Sequence, residues 1–515
     1  MRCGILSLSL VCIAMLTGCT INNLEKRGKP CAADRARVTT ICADSKEKNN
    51  VAATALVGNI DLDLSMLIDI ALENNPETKR SWHAARAAEA QVGQARSFFY
   101  PTVVLGEQVA RNESSIPAGQ NLIQKSLSTS YYPSVEIHCS IFQFGANKNL
   151  AEAAKQSLCA ANCQYNRTIQ TVIHGVQKAY FTLCSAESTV SSNEHNLNDA
   201  IAAYESAFLR YQSGLINIQE YLQAKANKSQ AEFELEQSRS KVESSRAALA
   251  QAIGMNVSKA VRVLHPTLPT NAADMDKAID NIMEKAAQGS PEIALAYAGV
   301  SAALRISRPE DTKDMDKAID NLIGKIVRTR PDVAAAYANV QAKERLTRCA
   351  RTKMLPELVI GGSGSKKKYS NTSGTFDNFN IFAGLTWKIF DGFKNFYDAS
   401  EIKENLGIAR QELRAAELRA QTEVWTHYFA FKSANKQLQA ARIFEQSARE
   451  SFEATVMSFS SGLCKVTDLI SAQTCLANAR RQRIICENNL LTSLSDLAYS
   501  TGSTDSPDLT QNKRR

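Results

Sequence analysis

The stretch from Asn147 to Gln212, which closes on Tyr211-Gln212-Ser213-Gly214, holds no proline and a single glycine, Gly175. Its apolar residues recur at helical rather than strand spacing, which predicts one uninterrupted helix. At 1.5 Å per residue that helix is roughly 100 Å long. The same text returns later in the chain. From Lys394 to Ser460 there is again no proline and only Gly407, and the run closes on Phe459-Ser460-Ser461-Gly462. A helix of this length cannot bury its apolar stripe against itself, so both runs must pack in a bundle or coiled coil. Gly214 and Gly462 suit the left-handed position that ends a helix and turns the chain back. Second helices are then expected from about Ile216 to Ile253 and from Val466 to Tyr499.

Outward from these runs the whole chain reads as two halves. Asn75-Pro76-Glu77 returns 255 positions later as Arg330-Pro331-Asp332, and Tyr100-Pro101 returns as Leu355-Pro356 at the same offset. Beyond them the offset settles at 248: Ile141-Phe142 meets Ile389-Phe390, Tyr180-Phe181 meets Tyr428-Phe429, and Gly254 meets Gly502. The change falls between Pro101 and Ile141, where a hairpin loop can absorb it. Each half therefore carries a charged, alanine-rich helix, a β-hairpin, a very long helix, a Ser-Gly break and another long helix.

The strands are amphipathic. Val135, Ile137, Cys139 and Ile141 alternate with Ser134, Glu136, His138 and Ser140, and Ile381, Ala383, Leu385, Trp387 and Ile389 alternate with Phe382, Gly384, Thr386 and Lys388. Membrane barrel strands need about 9–11 residues and one apolar face. Tyr131, Tyr132 and Trp387 fall where an interfacial aromatic girdle belongs. The alternative for such strands is a soluble hairpin packed on a helix. Counting favours the membrane: two hairpins supply four strands, a barrel needs at least about eight, and three copies would bring twelve.

At the start of the chain, Arg2, the mostly apolar run Ile5 to Leu16, and Leu16-Thr17-Gly18-Cys19 read as an export signal. The small residues before Cys19 resemble a lipobox, which would make Cys19 the lipid-attachment residue; the alternative is a secretory signal with a chance cysteine. No later segment has 18 uninterrupted apolar residues, so any crossing of a membrane must use strands in a closed barrel. Of the 13 cysteines the remaining ten are irregularly spaced. Cys159 and Cys163 sit one helical turn apart without completing a zinc site, so buried free thiols are expected, with a Cys31–Cys42 disulfide as an option.

Composition and motifs exclude other classes. The charge of +8 comes from 60 basic residues spread among 52 acids, a solvated surface rather than a nucleic-acid footprint. The six histidines form no HExxH or paired-ligand pattern, and no GxxxxGK[ST] phosphate loop is present. No cofactor, metal site or catalytic constellation is expected. Gly361-Gly362-Ser363-Gly364-Ser365, followed by Lys366, Lys367 and Lys368, is read as an exposed loop leaving a strand.

The order of helix, Tyr-Pro or Leu-Pro, hairpin, long helix and YxxG-type turn, present twice, resembles the TolC-like family of outer membrane efflux proteins over roughly residues 61–502. The lipobox points to its lipoprotein branch. The resemblance implies a mainly α fold with a small β part: long antiparallel helical hairpins in a trimeric α-barrel, and four strands per chain in a 12-stranded outer-membrane β-barrel. It implies a homotrimer anchored in outer-membrane lipid that works with a periplasmic adaptor and an inner-membrane pump. The expected division is a signal peptide at 1–18, a lipidated linker at 19–60, a first repeat at 61–260, an equatorial linker at 261–310, a second repeat at 311–502 and a polar tail at 503–515. Asp468 matches one of the family's gating acids, Ser471 stands at the second, and Glu220 is the counterpart of Asp468 in the first half. Ser213, Gly214, Ser461 and Gly462 would form tips that meet the adaptor.

One feature departs from the family plan. Asp274-Met275-Asp276-Lys277-Ala278-Ile279-Asp280-Asn281 recurs 40 residues later at Asp314 to Asn321, a local tandem duplication whose first copy, about 272–310, is surplus. Two other functions compete with drug efflux: a protein-secretion channel, and a coiled-coil envelope lipoprotein without a pore. A periplasmic adaptor is a third, less apt because it should carry one helical hairpin rather than two complete halves.

Overall fold

The computed structural model describes residues 62–117, 123–256, 263–264, 330–370 and 374–502. Cys19, the signal region, Cys31, Cys42 and the duplicated segment 272–310 lie outside the described residues.

The described helices are α1 (Leu64–Asn74), α2 (Pro76–Ser97), α3 (Ala146–Gln212), α4 (Ile218–Ile253), α5 (Pro331–Thr352), α6 (Lys394–Ser460) and α7 (Val466–Thr501). The strands are β1 (Thr102–Pro117), β2 (Ile123–Phe142), β3 (Glu357–Tyr369) and β4 (Thr375–Thr386). α3 and α6 are each 67 residues long, and α4 and α7 are each 36. α2 and α5 both start with proline at the first helical position, where its missing N–H costs nothing.

The long helices hold together by a narrow seam. Along α6, Phe431, Ala434, Leu438, Ala441, Glu445, Ala448 and Phe452 alternate steps of three and four residues, the 3.5-residue period of a left-handed coiled coil. The seam meets Cys486, Leu490, Leu494 and Ala498 of α7. Alanines at every second position let the two backbones approach closely. Glu445 is the one charge on this seam, and it stays there because Arg449 (2.7 Å) and Arg483 donate to its two oxygens. α3 packs on α2, α4, α5 and α7, so it is the axis of the described bundle.

β1 to β4 form one antiparallel sheet in chain order. The pairing Leu105↔Val135↔Gly364↔Phe379 and Val103↔Ile137↔Gly362↔Ile381 gathers these apolar side chains on one face, while Val104, Val359, Phe376 and Phe382 lie on the other. The first face is uncovered: Leu105 is 78% exposed, Phe379 77% and Ile381 68%. The opposite face carries Gln108, Asn112, Tyr132, Ser365, Lys367 and Asn378, which line a polar cleft. Gly361 leaves room on this face for the ring of Phe382 on the next strand: a Cβ there would fall 2.5 Å from it and push the ring aside. β1 and β4 are edges without strand partners among the described residues.

Three expectations for the sheet need correction. All four strands are longer than the two inferred, at 16, 20, 13 and 12 residues, because the ladder continues into polar sequence that alternation alone does not mark. Gly361 to Lys368 is not a loop but the body of β3, where small residues pair with β2 and β4 on both sides. Tyr131 and Tyr132 cannot share a girdle, since neighbours in a strand face opposite ways; Tyr131 keeps the apolar face and Tyr132 takes the polar one. Trp387 lies just past β4, its indole N–H donating to the Met354 carbonyl at 3.1 Å.

Candidate functional site

The two helical turns that carry the sequence-derived site residues are built alike at the backbone. After α3, Gly214 (φ +71°) donates to Tyr211 O and Leu215 to Arg210 O; after α6, Gly462 (φ +75°) donates to Phe459 O and Leu463 to Ser458 O. These are paired 5→2 and 6→1 bonds, which need a left-handed residue and so favour glycine. Ser213 and Ser461 cap the helices and turn their hydroxyls back to Leu209 O (2.9 Å) and Met457 O (3.0 Å). All four residues are exposed.

At the start of the returning helices the turns differ. Asn217 caps α4, its side-chain oxygen accepting from the Glu220 N–H at 2.9 Å. In the second turn that position is Lys465, which has no acceptor. There Asp468 reaches back instead, its carboxylate accepting from the Lys465 N–H at 3.1 Å. Asp468 is thus an exposed acid on the positive end of α7, and Glu220 holds the equivalent third position of α4.

The structure joins the two turns through a residue that the sequence did not single out. Arg210 donates to the Phe459 carbonyl at 2.6 Å and lays its guanidinium 3.9 Å from the Phe459 ring centre. Beneath it Ala203, Ala207, Ala224, Val466, Leu469 and Ile470 form one buried cluster drawn from α3, α4 and α7. A polar ladder continues along the helices: Asn227 to Gln473 (3.0 Å), Gln473 to Asn196 O (3.1 Å), Arg480 to Asn196 (3.1 Å) and Arg481 to Glu234 (2.8 Å). The available signal was the mismatch between halves, since Arg210 corresponds to Ser458.

At the other end of α7 lies a second charged constellation. Arg330, 1% exposed, holds Asp332 with two bonds (3.0 and 2.6 Å), Glu423 (2.8 Å) and the Ser500 carbonyl (3.1 Å). Arg167 donates to Tyr499 O (3.1 Å) and stacks 3.8 Å from that ring's centre. His174 meets Asp496 at 2.6 Å and stacks on the other ring contact of Tyr499 at 4.6 Å. Burial works against ionising Asp332 and Asp496, but Arg330 holds the first below its ordinary pKa and His174 the second. Burial pushes the His427 pKa down, with His174 and Lys178 helping and Asp496 and Glu423 opposing. The cluster ties α3, α5, α6 and α7 together.

None of the described cysteines, Cys159 and Cys163 among them, is joined in a disulfide. Burial pushes the Cys184 thiol up to about 12, so it stays protonated and inert. Among the described residues no group of His, Cys, Asp and Glu is placed to hold a metal ion, and no helix is long and apolar enough to cross a membrane.

Comparison with known proteins gives a consistent picture. The model of the family described as "Outer membrane efflux protein" matches residues 67–255 and 322–503. Protein CyaE of Bordetella pertussis is 25% identical over 243 residues, 47% of this chain and 50% of that protein. Outer membrane protein OprJ of Pseudomonas aeruginosa is 33% identical over 165 residues, 30% of this chain and 31% of that one. The matched stretches therefore span half or less of these relatives' own length. The solved structure of the Campylobacter jejuni CmeC outer membrane channel superposes with a TM-score of 0.71 at 18% identity, covering 86% of each chain, which establishes a shared fold.

Proposed function

This chain belongs to the outer membrane efflux protein family, and we propose that three copies of it form a passive exit duct across the periplasm and outer membrane. The observation that carries this reading is the unclosed sheet. Four strands have one bare apolar face, one mostly polar face and two edges without strand partners among the described residues. In water such a sheet would invite aggregation through its edges. In a bilayer an open edge leaves backbone groups unsatisfied, so the only stable arrangement is a closed barrel. Three sheets joined β4 to β1 give twelve strands, with the apolar face to lipid and the polar face to the lumen.

Below the barrel the long helices would form the tube, with Asp468 and Glu220 near its narrow end and the Ser213-Gly214 and Ser461-Gly462 turns presented to a periplasmic adaptor. An inner-membrane pump would supply the energy and this protein would do no chemistry. Cys19 would carry the lipid that anchors the chain to the outer membrane. Drugs or other small molecules are the cargo class that the resemblance favours.

Purified protein, cross-linked and inserted into planar bilayers, tests the reading. The expected result is a trimer that gives discrete conductance steps. A folded monomer in detergent, or trimers that never conduct, would refute it. Asp468→Asn tests the gate separately, because asparagine keeps an oxygen for the Lys465 N–H while removing the charge. A ring of carboxylates at a constriction favours cations, so the variant should lose cation preference with unchanged thermal stability. Unaltered selectivity would reduce Asp468 to a helix cap.

A further inference from the structure

The first half contains an open cleft of about 630 Å³ between the start of α2, the middle of α3 and the end of α4. Compared position by position, it occupies the place of the charged cluster in the second half. Gly175 stands where the second half has Glu423, Ala179 where it has His427, and Ala248 where it has Asp496. Two carboxylates and an imidazole are missing, and the space they fill in the second half is open. The charge on the walls has also changed sign: Lys178 and Lys241 line the cleft where the second half has Thr426 and Asn489.

Neither lysine makes an ion pair among the described residues. Glu77, the one acid on the wall, is held by Arg80 at 2.5 Å. Lys178 also lends its field to Asp496 in the neighbouring cluster, which leaves Lys241 as the cation belonging to the cleft alone.

A second, independent sign comes from a serine. Ser245 lines the cleft, is 4% exposed, and its hydroxyl has no hydrogen-bond partner. Its counterpart Ser493 is equally buried but donates to the Leu490 carbonyl of its own helix at 2.9 Å. The same residue at the same position thus satisfies itself in one half and stays open in the other. A buried hydroxyl without a partner is destabilising, and an acceptor entering the cleft would satisfy it.

We propose that this cleft binds a small oxyanion, a phosphate or carboxylate group, whose oxygens stand in for the carboxylates of Glu423 and Asp496 and accept from Lys241, Lys178 and Ser245. The second half carries its counter-ions on the chain; the first half takes one from solution. The positive end of α2, which begins at Pro76 on the cleft wall, adds to the attraction.

The experiment uses the full-length protein in detergent. Its thermal midpoint is followed against inorganic phosphate and, separately, succinate, with chloride holding ionic strength constant. A saturable rise with either anion is expected, one that identifies which head group fits better. Lys241→Gln, a surface change, should raise the dissociation constant at least tenfold. Ser245→Ala should weaken binding while leaving the anion-free midpoint unchanged or higher. Ala248→Asp, which writes the second half's acid into the first, should abolish the rise. A midpoint that ignores both anions, or binding undiminished in Lys241→Gln and Ala248→Asp, overturns the proposal. The cleft lies within one chain, so these outcomes are independent of whether the protein conducts.

Discussion

α4 and α7 have equal length and equal rank in their halves, yet α7 buries 17 of its residues and α4 only eight. For the long helices the order is reversed: α3 buries 19 residues and α6 ten. Similar sequence grammar has therefore produced two central helices, α3 and α7, which pack on each other, and two flanking ones, α4 and α6. The flanking pair leave Leu222, Phe233, Ile408, Leu418 and Ile443 exposed. In the proposed trimer these side chains would be covered by the next copy, α6 of one against α4 of the next. The burial asymmetry thus separates the helices that hold one chain together from those that the proposed assembly would cover.

A large effect is expected where the halves differ in charge. Arg330→Ala removes the buried guanidinium that bonds Asp332 and Glu423 and leaves them only Arg167, 3.8 and 3.9 Å away, and should cost about 3 kcal/mol, the low end for breaking a buried pair. Its counterpart Asn75→Ala removes only a neutral bond to the Ala252 carbonyl (2.8 Å) and the cap on Glu77, worth about 1–2 kcal/mol. Denaturant midpoints of the two variants compare them directly. Equal losses would mean that the charged cluster adds nothing over its neutral counterpart.

Next comes the packing contrast. Leu490, fully buried on the seam, should cost about 2–5 kcal/mol when cut to alanine. Leu222→Ala on α4 should stay within about 0.5 kcal/mol in the dissociated chain, the usual range for a surface site, and should weaken the assembled form instead. A large loss in the dissociated chain would show that α4 already has an internal partner.

Much of this was legible in the sequence because it rests on backbone rules. Missing prolines marked α3 and α6 to within a residue, and Gly214 and Gly462 marked their ends, since a left-handed turn has few other solutions. The sheet was read less well. β3 is built from Gly361, Gly362, Ser363, Gly364 and three lysines, a composition that signals a loop when it stands alone and becomes a strand only through neighbours on both sides. Arg210 and the Arg330 cluster were missed for a related reason. Both are pairings across more than 90 residues of chain in which no single partner is unusual. What could have pointed to them was the comparison of halves, read for differences rather than likenesses. Asp468 was singled out as a gating acid from the resemblance; the role visible within one chain is the local one of a helix cap.

The caps offer a smaller test of the same asymmetry. Asn217→Ala should cost about 1 kcal/mol, as side-chain caps do. The matching change at Lys465 should cost nothing measurable, because its side chain accepts no bond and Asp468 supplies the cap. Thermal midpoints decide it; a loss at Lys465 equal to that at Asn217 would mean that the lysine holds the second turn by some other contact.

The smallest effect is a dependence on pH carried by His427 and Asp496 of the second half. His427 has its pKa lowered by burial beside Asp496, Glu423, His174 and Lys178. The unfolded chain therefore takes up a proton at a higher pH than the folded one. The stability this represents is full above about pH 6.5, the ordinary histidine value, and is lost as pH falls through the lower folded value. Asp496, lowered by its bond from His174, follows the same direction in the more acidic carboxylate range. In the first half the counterparts are Ala179 and Ala248, which do not titrate. Replacing His427 with glutamine should flatten the fall in midpoint between pH 7 and 5 and leave the fall below pH 4 in place. An unchanged slope above pH 5 would assign that fall to a group other than His427.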